Sequence, residues 1–199
     1  LLIGYHAAVA FQPWGWDIAF ISNDKSLESL WIFFSLINTW RIPILFVISG
    51  MALRYAYEKR DKWTLFNERT KIILLPYYFG INTVTILHIG LFFSYIGVEL
   101  DESIESDPAH LWFLANIAFY AFCSIPFLHI VKNGSAQFSK VLNLRFGTLF
   151  LSLPWVVYGF LQESLKLAWG LGWTMYAGSL HGFILGLMCF HYGIVLVSQ

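Results

Sequence analysis

The sequence predicts an all-α, polytopic transmembrane helix bundle, and three observations carry that reading. Apolar runs of more than 18 residues recur along the chain, each long enough to cross a bilayer as a helix. Of the 199 residues, 58% are hydrophobic and only 12% charged, whereas an average soluble domain is about 25% charged. Basic residues also gather in alternate connections, as they do in loops held in the cytoplasm.

Six spans are predicted, at about 1–21, 28–56, 72–97, 110–131, 146–162 and 171–197. No internal repeat or low-complexity tract interrupts them, so 1–199 reads as a single membrane-embedded domain. The chain opens on Leu1 inside an apolar run and stops at Gln199 just after another, so the expectation is a fragment.

The first span carries His6, then Phe11-Gln12-Pro13-Trp14-Gly15-Trp16-Asp17 at its outer end. Those tryptophans suit the interfacial belt. Asp17 is eleven residues from His6, about 16 Å along a helix, so it does not orient His6 within this span.

The second span holds the apolar run Leu30 to Leu53, with Arg41 near its middle. A guanidinium at that depth costs about 2.5–3.5 kcal/mol on insertion scales, so it calls for a task. Pro43 removes a backbone donor and bends the helix beside it. Ser49 and Gly50 leave a notch for a neighbouring helix or a ligand.

Orientation follows from the loops. Lys59, Arg60, Lys62, Arg69 and Lys71 follow the second span, with Arg54 at its edge, and Lys132, Lys140 and Arg145 follow the fourth. The other side has Lys25 and Lys166 and most of the acids, among them Asp101, Glu102, Glu105 and Asp107. The first span therefore runs from inside to outside, and the acidic segment 98–109 lies outside. Residues 63–71 read as an amphipathic stretch at the inner leaflet, ahead of Pro76 in the third span. The fourth begins His110-Leu111-Trp112-Phe113-Leu114, and the sixth holds His181-Gly182-Phe183, Gly186 and His191.

Several chemistries have no support. There is no glycine-rich phosphate loop, no cysteine–histidine zinc spacing and no serine nucleophile elbow. The carboxylates of 98–109 lack metal-ligand spacing, so no metal is expected. Cys123 and Cys189 read as small apolar residues. Net charge is zero and no basic patch stands apart from the loops, so no nucleic-acid partner is expected.

Taken alone, the candidate residues keep more than one reading. His6 either works as a base or bonds a carbonyl on a neighbouring helix. Arg41 either stabilises charge in a reaction, binds a ligand, or forms a structural ion pair. Arg69 and Lys71 are either ligand contacts or ordinary positive-inside charges. His110 either caps a helix in solvent or marks, with Trp112, an acceptor entrance. His88, His129, His181 and His191 read as packing or interfacial residues, with His181 the least secure because Gly182 and Gly186 leave room beside it.

Four stretches together resemble the acyltransferase-3 family of integral-membrane acyltransferases, in its glucan-biosynthesis, succinyl-transferring branch. They are His6-Ala7-Ala8, Trp40-Arg41-Ile42-Pro43 through Ile48-Ser49-Gly50, Phe66 with Glu68-Arg69 ahead of Pro76, and His110-Leu111-Trp112-Phe113-Leu114. The resemblance covers residues 1–120 well and the remainder loosely. It implies a bundle of about ten helices in a bacterial-type cytoplasmic (inner) membrane. It also implies acyl-CoA as a cytoplasmic co-substrate, no permanently bound cofactor, and a carbohydrate acceptor outside. Two positions depart from the pattern. The family's arginine eleven residues before the histidine would precede Leu1. The second arginine of the pair before Pro76 is Ile72, with Lys71 beside it as a point charge only.

What the resemblance implies is O-acylation: an acetyl or succinyl group moves from acyl-CoA to a glycan hydroxyl. His6 would take the hydroxyl proton, and Arg41 would stabilise the tetrahedral oxyanion. Arg54, Arg69 and Lys71 would receive the CoA phosphates, and His110 with Trp112 would face the acceptor. A transporter of a glycan or small anion is the alternative, since broken helices and a buried arginine also line substrate paths. A non-catalytic membrane scaffold is the third reading.

Overall fold

The structure, a computed structural model, describes residues 2–18, 21–97, 111–131, 140, 152–165 and 179–197. Among the described residues all regular structure is helical and there is no strand, as the sequence predicts. The helices are α1 (Leu2–Val9), α2 (Ser29–Lys59), α3 (Lys62–Arg69), α4 (Leu75–Gly80), α5 (Ile86–Ile96), α6 (Trp112–Cys123), α7 (Ile125–Val131), α8 (Leu153–Leu165) and α9 (Leu180–Leu196).

Two helical runs are long and apolar enough to cross a membrane: α2, and the continuous run Lys62–Ile96. A third joins them if α6 and α7, bent by 53°, are taken as one span. Pro126 supplies a reason for that bend, because its missing N–H breaks the helical ladder.

Helix boundaries differ from the expected spans for local reasons. The first helix does not run to residue 21 but ends at Val9. Pro13 has no N–H to continue the ladder, and Gln12 N–H takes the Val9 carbonyl at 2.9 Å instead. A 3₁₀ turn, Pro13–Ile18, follows. Conversely, the amphipathic stretch and the third span are one helix, begun by Asp61, whose carboxylate accepts from the Trp63 and Thr64 amides. That helix widens into a π-helical turn at Thr70–Leu74, just ahead of Pro76. It widens again at Ile81–Thr85, where Asn82 and Thr83 side chains donate back to the Tyr78 and Phe79 carbonyls at 2.7 and 2.6 Å. Gly97, at φ 71°, ends α5 in the left-handed conformation that glycine tolerates.

The contacts group into two compact units. The first comprises residues 1–41 and 75–111. In it α1 folds back along the start of α2. Leu27 N–H donates to the Phe11 carbonyl at 2.9 Å, and Gln12 Nε2 donates to the Leu27 carbonyl at 3.2 Å. Gln12 is buried, so these bonds satisfy a polar group that would otherwise be costly.

The second unit comprises residues 42–74 and 112–199. Phe46, Tyr120 and Phe190 centre its core, with Leu53, Leu65, Leu128 and Ile194 fully buried around them. Gly50 of α2 and Gly193 of α9 meet backbone to backbone. A methyl on Gly50 would overlap the Phe190 carbonyl oxygen, and one on Gly193 would overlap that of Val47. The expected notch at Gly50 is therefore a helix crossing.

The pairings fix helix direction within this unit. Gly186 lies against Phe46, and Gly50 against Phe190, so α9 runs parallel to α2. Tyr120 contacts Phe183, and Ser124 contacts His191, so α6 is parallel to α9 as well. Trp155 packs on Tyr192 whereas Tyr158 packs on His181, so α8 runs the opposite way.

Candidate functional site

Arg41 is 7% exposed, and its guanidinium lies over the ring of Tyr5 with 3.5 Å from Cζ to the ring centroid. The Tyr5 ring also meets Trp31 at 5.6 Å and Phe34 at 6.3 Å, and Trp31 meets Trp14 at 4.6 Å. Ten residues separate Trp31 from Arg41, about 15 Å along the helix. To share one ring with Trp31, Arg41 must reach back along α2, the direction in which helical side chains lean. A cation over an aromatic face gains about 2 kcal/mol when desolvated, which offsets part of the cost of burial.

His6 lies edge-on to Tyr5, with ring centroids 5.6 Å apart, and its side chain is exposed. The structure thus brings α1 and α2 together at Arg41. The ring stacked on the guanidinium, however, is that of Tyr5, the residue before the expected base. Sequence reasoning missed Tyr5, because one tyrosine among ten carries no local signal.

The three cations expected at the inner end have different surroundings. Arg54 is buried and paired with Glu58 at 3.1 Å. Its Nε and Nη1 have no hydrogen-bond partner among the described residues. Arg69 turns inward and donates from Nη2 to the Ala52 carbonyl at 3.2 Å. Lys71 is exposed. Arg69 lines a cavity of about 240 Å³ with Ser49, Ala52, Leu53, Ala121 and Phe190. Of the three, Lys71 alone stands in the open as a rim charge would.

Of the acceptor-side pair, His110 lies outside the described residues. Trp112 packs into the second unit, its ring 6.4 Å from Phe46 and 6.0 Å from Phe113. No group of metal-ligating side chains occurs among the described residues.

Two histidines taken as packing residues are hydrogen-bonded to hydroxyls in the core. His181 is 1% exposed, and its Nδ1 lies 2.6 Å from the Tyr158 hydroxyl. Ser179 caps α9 by accepting from the Gly182 amide, which sets the position of His181. His191 Nδ1 lies 2.9 Å from the Leu187 carbonyl. A carbonyl only accepts, so Nδ1 carries the proton and Nε2 accepts from Ser124 Oγ at 3.2 Å. Ser124 is fully buried at the bend between α6 and α7. The paired residues are 23 and 67 positions apart in sequence, so no spacing rule could find them.

No family model matches this chain, and no curated protein or solved structure is significantly similar to it.

Proposed function

We propose that this chain is part of a membrane O-acyltransferase of a bacterial-type cytoplasmic membrane, taking acetyl or succinyl from acyl-CoA to a carbohydrate hydroxyl outside. The observation that carries the reading is Arg41: a buried guanidinium on an apolar helix, held against α1 one residue from His6. Acyl transfer needs a base and an oxyanion donor at one place, and the resemblance of residues 1–120 to the acyltransferase-3 family points to the same two residues.

In this reading His6 removes the acceptor hydroxyl's proton as its oxygen attacks the thioester carbonyl. Arg41 donates to the oxygen that becomes negative. Collapse of the tetrahedral intermediate expels the CoA thiolate, which takes up the proton. Arg54, Arg69 and Lys71 meet the CoA phosphates at the inner end. The parallel run of α2, α6 and α9, with α8 opposed, is what alternating crossings require of even and odd spans, and so supports a membrane embedding.

The test is label transfer from radiolabelled acetyl-CoA or succinyl-CoA to a glycan in proteoliposomes. Transfer should occur with the wild type and be lost in His6→Ala and Arg41→Gln at equal membrane insertion. Full transfer by His6→Ala rejects His6 as the base.

The 53° bend of α6 on α7 and the two π-helical turns favour a second reading, a transporter, since irregular helices line substrate paths. It predicts movement of unmodified glycan or anion across the vesicle wall with no label transferred.

A further inference from the structure

The stretch from Arg54 to Lys71 carries six cations and three carboxylates, a net charge of +3. Each carboxylate is already engaged. Glu58 pairs with the buried Arg54 at 3.1 Å, and Glu68 pairs with Arg60 at 2.9 Å. Asp61 caps α3 by accepting from the Trp63 and Thr64 amides. Arg69 turns onto the Ala52 carbonyl. Lys59, Lys62 and Lys71 are exposed, and among the described residues none of them has an ion pair. The open, unpaired charge of this stretch is therefore carried by its three lysines.

Apolar surface lies beside that charge. Trp63, next to Lys62, is 75% exposed, and Ile72, next to Lys71, is 64% exposed. The lysines also stand where two membrane-long helices end and begin. Lys59 is the last residue of α2, and Lys62 is the first of the run Lys62–Ile96. A soluble acidic partner would match the charge and gain nothing from that position. A bilayer surface matches both: headgroups meet lysines that flank a spanning helix, and the interface takes a tryptophan ring. We infer that Lys59, Lys62 and Lys71, with Trp63, form a docking face for anionic phospholipid headgroups of the leaflet at this end of α2. A zwitterionic lipid offers a phosphate but no net charge, so the face selects by headgroup charge.

This inference rests on the membrane embedding proposed above, not on acyl transfer. Lys71 also figures in the proposed CoA contact, so the test varies Lys59 and Lys62 and is read with no acyl-CoA present. The full chain in a neutral detergent is titrated with pyrene-labelled phosphatidylglycerol or phosphatidylcholine, and energy transfer from tryptophan to pyrene is measured. Phosphatidylglycerol should bind about tenfold more tightly or better. The preference should shrink as salt shortens the Debye length from about 8 Å at physiological strength to about 3 Å at 1 M. Lys59→Gln with Lys62→Gln should lower it by about fivefold per lysine. Lys59→Arg with Lys62→Arg should keep it, and so should Lys25→Gln, which removes an exposed lysine from another connection. The proposal is overturned if the two lipids bind equally, or if the glutamine pair leaves the preference unchanged. Displacement of phosphatidylglycerol by soluble polyglutamate at equal charge also overturns it, in favour of an acidic protein partner. The wild-type comparison decides alone if the glutamine pair fails to fold. Equal binding of the two lipids with acyl transfer intact fails this inference alone, whereas a chain that stays soluble without detergent fails the membrane embedding with it.

Discussion

The Cζ of the Arg41 guanidinium lies over the Tyr5 ring, 3.5 Å from its centroid. The contact joins α1 to α2 at the cation that dominates the second apolar run. It also gives the buried guanidinium an aromatic partner on the neighbouring helix, which offsets part of the cost of burial. His6, the next residue, lies edge-on to the same Tyr5 ring.

Removing the ring face should therefore loosen Arg41. Tyr5→Leu is expected to destabilise the chain by about 2 kcal/mol, the value of a desolvated cation–π contact. Tyr5→Phe, which keeps the face, should cost less. Thermal denaturation in detergent gives both values. Equal losses in the two variants would show that the hydroxyl, not the ring, matters.

The α2–α9 crossing should tolerate no side chain. Gly50→Ala and Gly193→Ala each place a methyl into a backbone carbonyl of the opposite helix, which must move. Overpacking of this kind costs about 1–3 kcal/mol or more. Gly90→Ala is the control. A methyl there meets nothing within 4 Å, so it should stabilise α5 by up to about 1 kcal/mol through helix propensity. Monodisperse yield after purification, with denaturation midpoints, separates the three.

Asp61 should make the start of α3 acid-sensitive. The Thr64 hydroxyl, then the Thr64 and Trp63 amides, hold its carboxyl below the usual carboxylate range. A depressed folded pKa stabilises the fold above the ordinary carboxylate value, and this is lost as pH falls through the lowered one. Amide exchange at Trp63 and Thr64, corrected for the intrinsic rate, should quicken on acidification below that range. Asp61→Ala should show the fast rate already at neutral pH and no further acid effect.

The two hydroxyl–histidine pairs should register as coupled residues. Ser124→Ala leaves His191 Nε2 without its donor, and Tyr158→Phe removes the bond to His181 Nδ1. Each is expected to cost about 1–3 kcal/mol, the penalty of a buried polar group left unmet. In double-mutant cycles with His191→Leu and His181→Leu, the paired changes should cost less than their sums. Additive losses would mean that the bonds contribute nothing measurable.

Sequence alone determined the helical class, the apolar character of the two long runs, Arg41 as the cation inside one of them, and a close approach at Gly50. Those are local properties. Helical period, run length and the absence of a Cβ are written in neighbouring residues and survive any arrangement of the helices. Even there, Pro13 ended α1 early, while Asp61 and a π-helical turn carried the third span's helix back to Lys62, because caps and backbone donors decide ends that hydropathy blurs. Only the tertiary structure decided that Tyr5 meets Arg41, that Arg69 turns onto Ala52 beside a cavity, and that Ser124 and Tyr158 find their histidines. Each of those pairings depends on how far one helix is rotated and shifted against another. That register is set by the summed packing of side chains distant in sequence, such as Phe46, Tyr120 and Phe190, and no short stretch of the chain contains it.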